Sequence, residues 1–342
     1  MRKILLAQAA SAAFALSATL SAQTASADPI ADFYKARGLR IMLGHPPGGS
    51  YDLYARLAAD HFRRFIPGAP TIVVEHKPGG GGVVATAFFY ANAPRDGSVI
   101  ALFPETIVHT QLLEPEVGKW KVQDMRYVGS FAPVNAAFVF RKGAPALAPD
   151  QMRNMKTRAG CTGRNSQSYQ YPALLKSLDG FQFEIICGYK GSQESVLAME
   201  RGEVDFVSSA WNSWRATHKG PIGAREMIVA IQAGLRREKE LSNVPLMQEL
   251  VADPQKKKVI EFASAGAAIG RALITPPNTP ADKLAALRQA FDRMVVDKEF
   301  LADAGRRQLV IDPDDGAAID KVAQEIAAAP KDLIDAASAA MK

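Results

Sequence analysis

Cysteine is nearly absent: Cys161 and Cys187 are the only two in 342 residues. No CxxC pair accompanies them, and His45, His61, His76, His109 and His218 show no HxxxH spacing, so the chain carries no metal-ligand pattern. GxSxG, HExxH and the P-loop are missing as well, which removes the motif-borne hydrolase, metalloprotease and nucleotide-phosphate readings. Serines and a distant histidine can still assemble in space, so an exported hydrolase built on Ser166 or Ser209 stays open. Beyond residue 20 no apolar run approaches the ~20 uncharged residues that span a bilayer. Neither sign of charge dominates, with 41 basic residues against 35 acidic. The runs Arg63-Arg64, Arg236-Arg237 and Lys256-Lys257-Lys258 read as solvated faces, not as a nucleic-acid footprint.

The N-terminus is informative. Arg2 and Lys3 precede an uncharged apolar stretch from Ile4 to Leu20, and Ala25-Ser26-Ala27 follows before Asp28. That order is the pattern of a cleavable signal peptide over residues 1–27, with cleavage expected after Ala27 and no membrane insertion afterwards. In an oxidising compartment an even pair of cysteines is most simply a disulfide; two buried free thiols are the alternative.

The 315 residues from Asp28 to Lys342 exceed a usual single core, which sets an expectation of two lobes. Short apolar runs alternate with longer amphipathic stretches, the α/β pattern. Leu39–Leu43, Thr71–Glu75 and Val99–Phe103 read as strands, with helices over Tyr51–Phe65 and Val83–Ala91 between them. The stretch from Tyr127 to Phe140 reads as a strand leading out of the first lobe. Strands before Cys161, at Phe183–Ile186 and at Val204–Val207 follow, with helices near Tyr171–Leu178 and Gln193–Arg201. Helices at Asp282–Val296 and Asp315–Ala329 close the chain, the latter expected on the outside of the first lobe. Gly and Pro punctuation is even and no long linker appears. The expected organisation is therefore residues 28–130 with 253–342 as one discontinuous lobe and 131–252 as an inserted lobe, with a ligand cleft between them.

Three loops lie between a strand and a helix and are rich in small polar residues. In Pro46-Pro47-Gly48-Gly49-Ser50-Tyr51-Asp52, glycines let backbone amides approach a ligand, Ser50 adds a hydroxyl, and the positive helix end favours a carboxylate or phosphate; a plain tight turn capped by Ser50 is the other reading. Asp52 either complements the helix dipole or orients an amine or water. Thr162-Gly163-Arg164-Asn165-Ser166-Gln167-Ser168 is dense in donors, and Arg164 has the chemistry to pair with an anion. Ser208-Ser209-Ala210-Trp211 at a further strand end sets an aromatic beside small polar groups, as a pocket wall or as core. Gly80-x-Gly82-x-x-Ala85 matches a dinucleotide fingerprint, but no acidic strand-end partner follows, and an exported protein seldom meets free NAD; close helix-strand packing is the better account.

Taken in order, these blocks resemble the periplasmic solute-binding receptors of tripartite tricarboxylate transporters, the Bug family. The resemblance runs through Ile41 to Arg56, Val73 to Gly82, Pro94-Arg95-Asp96-Gly97, Gly188-Tyr189-Lys190-Gly191, Leu197 to Asp205, and Pro276-Pro277-Asn278-Thr279-Pro280. It implies a two-lobed, type II-like periplasmic binding protein, monomeric and without cofactor, that is a receptor and not an enzyme. By that resemblance Pro47, Gly48, Gly49, Ser50 and Asp52 face Thr162, Gly163, Arg164, Asn165, Ser166 and Ser168 across a small organic acid, with Glu105, Thr106, Ser209, Ala210 and Trp211 lining the rest. The membrane subunits of a cognate transporter are the implied partner, and a sensory adaptor for a receptor kinase is the alternative use of the same fold.

Overall fold

The computed structural model describes residues 28–342; the leader and its cleavage after Ala27 lie outside the described residues. The first half runs α1 (Pro29–Arg37), β1 (Leu39–Leu43), α2 (Ser50–Phe62), β2 (Ile72–His76), α3 (Val83–Asn92), β3 (Val99–Leu102), α4 (Ile107–Leu113) and β4 (Arg126–Ser130). It continues with β5 (Ala136–Arg141), α5 (Pro149–Met152), β6 (Thr157–Cys161), α6 (Gln167–Asp179), β7 (Phe183–Cys187), α7 (Ser192–Glu200), β8 (Phe206–Ala210), α8 (Trp211–Gly223) and β9 (Met227–Ala233). The chain closes with α9 (Pro254–Ser264), β10 (Ala272–Thr275), α10 (Ala281–Val295), α11 (Lys298–Arg306), β11 (Asp314–Asp315), α12 (Gly316–Ala327) and α13 (Lys331–Ala340).

Two mixed sheets form, in the orders β11-β4-β10-β3-β1-β2 and β7-β6-β8-β5-β9. Within the first, β1 runs parallel to β2 and β3, whereas β10 is antiparallel to β3 and β4. Central strands covered on both faces carry continuous apolar runs: Val99–Leu102 is buried at every position. Tyr127 to Phe140, read from sequence as one strand, is two, because the chain leaves the first sheet after Ser130 and enters the second at Ala136. One such crossing joins the lobes here and a second runs through α9 to β10.

Apolar side chains decide which face each helix buries. Tyr54, Ala55, Leu57, Ala58 and Phe62 of α2 pack with Leu287, Phe291 and Met294 of α10 over one face of the first sheet. Residues 63–65 form a turn instead of extending α2, and Ser50 begins it. Helix α12, the helix expected over Asp315–Ala329, packs on β4 and α4, while a further helix, α13, touches α4, α6 and α9. Asp28, Asp253, Asp297 and Asp315 accept amide hydrogens at the starts of α1, α9, α11 and α12. Among the described residues no helix is long and apolar enough to cross a membrane.

Cys161 and Cys187 are register partners at the ends of β6 and β7, with Cα atoms 4.2 Å apart, and they form a disulfide. Their bond closes a loop across 26 residues and ties together the two segments that follow those strands. Cys161→Ser is expected to cost ~2–4 kcal/mol in urea unfolding; equal stability of wild type with and without reductant would remove the disulfide from the account of this lobe.

Candidate functional site

Open α/β sheets bind ligands beyond the carboxyl ends of their parallel strands. Here β1, β3, β6, β7 and β8 all end on one cavity of about 280 Å³ lined from both sheets. His45, Pro46, Pro47, Gly49, Ser50 and Tyr51 follow β1, and Pro104, Glu105 and Thr106 follow β3. From the other lobe come Thr162, Ser166, Gln167 and Ser168 after β6, Lys190 to Glu194 after β7, and Val207 to Ala210 of β8. Arg271 completes the floor, because β10 is antiparallel and its first residues lie at the edge where β3 ends.

The helices opening onto this cavity differ from those capped by aspartate. The N-cap residues of α2, α6, α7 and α8 are Gly49, Ser166, Gly191 and Ala210, and none makes a side-chain cap hydrogen bond. The first amides of a helix have no intrahelical acceptor, and without a cap those of α2, α6 and α7 remain available to an anion, favoured further by the helix dipole, whereas the first amide of α8, Trp211 N, donates to Asn135 O at 2.8 Å. Ser50 is therefore not the cap of its turn: its Oγ accepts from Arg271 Nη2 at 3.1 Å and Nε at 3.3 Å.

Beneath those helix starts sits a buried charged network. Arg271 has no exposed surface and Glu105 is 2 % exposed. Arg271 Nη1 donates to Glu105 Oε2 at 3.1 Å and to Tyr51 Oη at 3.2 Å, and the guanidinium lies 4.0 Å from the centroid of the Tyr51 ring. Tyr51 Oη donates to the same Oε2 at 2.9 Å. Burial, partly offset by Arg271 and reinforced by Glu105, holds the Tyr51 phenol well above its ordinary pKa, so it remains a donor. With its amide turned to satisfy both neighbours, Gln167 donates to Glu105 Oε1 at 3.2 Å and accepts from Ala210 N at 3.1 Å, joining the lobes. His45 stacks on Tyr51 at 4.2 Å between centroids; burial, then Arg271, depresses its pKa to about 3, so it is neutral.

Of the residues expected from sequence, Pro47, Gly49, Ser50, Glu105, Thr106, Thr162, Ser166, Ser168, Ser209 and Ala210 line the cavity. Six others do not. The Gly48 amide is turned to Asp52 Oδ2 at 3.0 Å, and Asp52 also binds Arg56 and His76, so this acid rigidifies the turn from behind. Burial pushes Asp52 up, but the hydrogen bonds from Arg56, Gly48 and His76 outweigh it and keep the carboxyl below its usual pKa. Gly163 packs against Gly80 and Gly81, where an added Cβ would stand 3.1 Å from Gly81 N. Arg164 is exposed and stacks on Tyr169 at 4.8 Å, and Asn165 is buried off the cavity. Trp211 turns into an apolar cluster with Ala137, Val139 and Met199, its Nε1 donating to Glu240 at 3.1 Å.

Sequence reasoning did not single out Arg271, His45 or the segment Lys190 to Glu194 as cavity residues, and it held Tyr51 and Gln167 only as members of their loops. Gly188-x-x-Gly191 between a strand and a helix was a usable signal for that segment. Arg271 had none, since its place depends on the antiparallel pairing of β10. The hydrolase alternative gains no geometry: Ser166 Oγ is bonded to Gly163 O at 2.7 Å and Ser168 Oγ at 2.6 Å, and among the described residues no cavity serine is hydrogen-bonded to a histidine.

The Arg271–Glu105 pair makes a quantitative expectation. Arg271→Met leaves an uncompensated buried carboxylate and should cost ~3–5 kcal/mol, while Arg271→Met with Glu105→Gln should cost clearly less than the two single changes added together. A double-mutant cycle by urea unfolding reads the coupling; strictly additive costs would contradict the pairing.

The comparisons with known proteins agree with this geometry. The family described as "Tripartite tricarboxylate transporter family receptor" matches residues 54–338. A "UPF0065 protein in gbd 5'region" of Cupriavidus necator is 26 % identical over 257 residues, 73 % of this chain and 74 % of that one. Among solved structures, the periplasmic binding protein BugD is similar at TM-score 0.69 and 18 % identity, covering 87 % of this chain and 97 % of that chain. MatC from Rhodopseudomonas palustris, solved with bound malate, is similar at TM-score 0.68 and 17 % identity, covering 86 % and 98 %. At such identities the likeness establishes the two-lobed fold, and the family match over most of the sequence establishes membership: this chain belongs to the tripartite tricarboxylate transporter receptor family.

Proposed function

We propose that the protein is a periplasmic receptor that closes on a small organic acid and delivers it to the membrane subunits of a tripartite tricarboxylate-type transporter. The observation that carries the ligand class is the convergence of three helix starts without a side-chain cap, at Ser50, Gln167 and Ser192, on one small cavity. Amides that lack an internal acceptor are a matched set of donors for a carboxylate. The malate held by MatC belongs to the same chemical class.

The lobes in this reading are residues 28–130 with 253–342 and residues 131–252. Closure relies on backbone approaching across the cleft. An added Cβ on Gly191 would stand 2.7 Å from Pro46 Cγ of the opposite lobe, and one on Gly81 would meet Ser166 at 3.0 Å. Gln193 Nε2 donates to Gly48 O at 3.3 Å, and Asn212 Nδ2 to Tyr54 Oη at 3.0 Å, so polar contacts also link the lobes. Gly82 is held at φ 102°, and a Cβ there would meet Pro104 Cγ at 2.6 Å, which fits a role for the glycine run in close packing.

A panel of mono-, di- and tricarboxylates tested by thermal shift should contain at least one acid that raises the melting temperature. Gly191→Ala, which props the lobes apart at Pro46, should then weaken its calorimetric affinity by about tenfold or more while leaving the ligand-free melting temperature unchanged. No shift from any acid, or unchanged affinity in Gly191→Ala, would count against a receptor that closes on a carboxylate.

A further inference from the structure

A receptor that closes on a carboxylate, as proposed above, needs contacts that exist only while its lobes are together. Gln167, the first residue of α6 in the second lobe, makes such a contact, and both ends of its amide are spent on protein. Its nitrogen donates to Glu105 Oε1 of the first lobe at 3.2 Å, and its oxygen accepts from Ala210 N of its own lobe at 3.1 Å. The side chain therefore lines the cavity without offering its amide to a ligand.

The contact continues into the crossing between the lobes. Glu105 Oε2 accepts from Arg271 Nη1 at 3.1 Å, and the Arg271 backbone is part of that crossing. Its amide donates to Ala132 O at 3.0 Å and its carbonyl accepts from Phe131 N at 2.9 Å, while Val134 N donates to Ala267 O at 2.9 Å. Residues 131–135 lead from β4 to β5, so this ladder stands where the lobes turn on each other. A continuous run of contacts thus joins α6 of one lobe, through Glu105, to the backbone of the hinge. Parting the lobes breaks it at Gln167 and Glu105, and water then takes both groups. While the lobes are closed the bond is charge-assisted and faces a carboxylate that is only 2 % exposed.

We infer that Gln167 is a positioning residue that latches the closed lobes through Glu105, setting the overall affinity of the receptor without choosing among its ligands. Affinity scales with the population of the binding-competent form, so loss of the latch weakens every ligand by a common factor.

Two variants test this. Gln167→Met keeps the length of the side chain and removes both hydrogen bonds. Each acid that binds wild type should bind this variant about tenfold more weakly by calorimetry, with the order of preference preserved and the loss appearing in the dissociation rate. Gln167→Glu separates a latch from a packing role, because an ionised carboxylate has no hydrogen to give Glu105 whereas the protonated acid has one. The other groups facing Glu105 keep their charge between about pH 5 and 8: Arg271 stays protonated, and burial holds the Tyr51, Tyr127 and Tyr171 phenols neutral. His45, stacked on Tyr51, is neutral throughout, its pKa lowered to about 3 by burial and then by Arg271. The affinity of Gln167→Glu relative to wild type, a ratio that cancels the ligand's own ionisation, should therefore be lowest near pH 8 and rise about fivefold or more toward pH 5. Unchanged affinity in Gln167→Met, or a ratio independent of pH in Gln167→Glu, overturns the latch. A changed order of preference also overturns it and makes Gln167 a ligand contact. If no acid binds wild type, the carboxylate reading falls and the latch with it, an outcome distinct from acids that bind wild type and both variants alike.

Discussion

A guanidinium withdrawn entirely from water must be given a counter-charge, and the floor of this cleft is organised around that requirement. Arg271 enters at the start of β10, Glu105 comes from the loop after β3, and Tyr51 stacks on the guanidinium while donating to the same carboxylate oxygen. Isolated, either charge would be prohibitively costly to bury; together, with Ser50, Tyr51 and Gln167 taking the remaining hydrogen-bonding capacity, they form a rigid neutral base. Because Gln167 comes from the opposite lobe, this base also sets the distance at which the lobes meet.

In the proposed reading, anion recognition rests on the backbone above this neutralised base. The aspartate caps that finish α1, α9, α11 and α12 are replaced around the cavity by Gly49, Ser166, Gly191 and Ala210, none of which caps its helix. Two of these are glycines, and Gly191 sits where an added Cβ would stand 2.7 Å from Pro46 of the opposite lobe. The same substitution of glycine for a larger residue thus serves two purposes, exposing amides and allowing the cleft to close. Behind it, Asp52 holds Gly48, Arg56 and His76 so that the turn keeps its shape while its amides remain free.

Much of the frame was legible in the sequence because it depends on local pattern. The alternation of apolar strands and amphipathic helices gave the two α/β lobes, and glycine-rich segments between strand and helix marked Pro47, Gly49, Ser50, Thr162, Ser166 and Ser168 as cavity residues. What local pattern could not convey was direction. Arg164 and Trp211 had suitable chemistry, but one stacks outward on Tyr169 and the other turns into the core with Met199. Asp52 stands within the correct loop and serves it from the far side. Arg271 is more than 160 residues from its partner Glu105, and only the antiparallel pairing of β10 brings them together. Such a pair emits no periodic or motif signal.

The central claim is that ligand charge is met by helix amides over an internally neutralised floor. A crystal structure of the protein with a bound acid tests it most directly. The account predicts a ligand carboxylate within hydrogen-bonding distance of amides at the starts of α2, α6 or α7, with Glu105 still paired to Arg271. A ligand carboxylate seated on Arg271, with Glu105 swung out of the cavity, would contradict it.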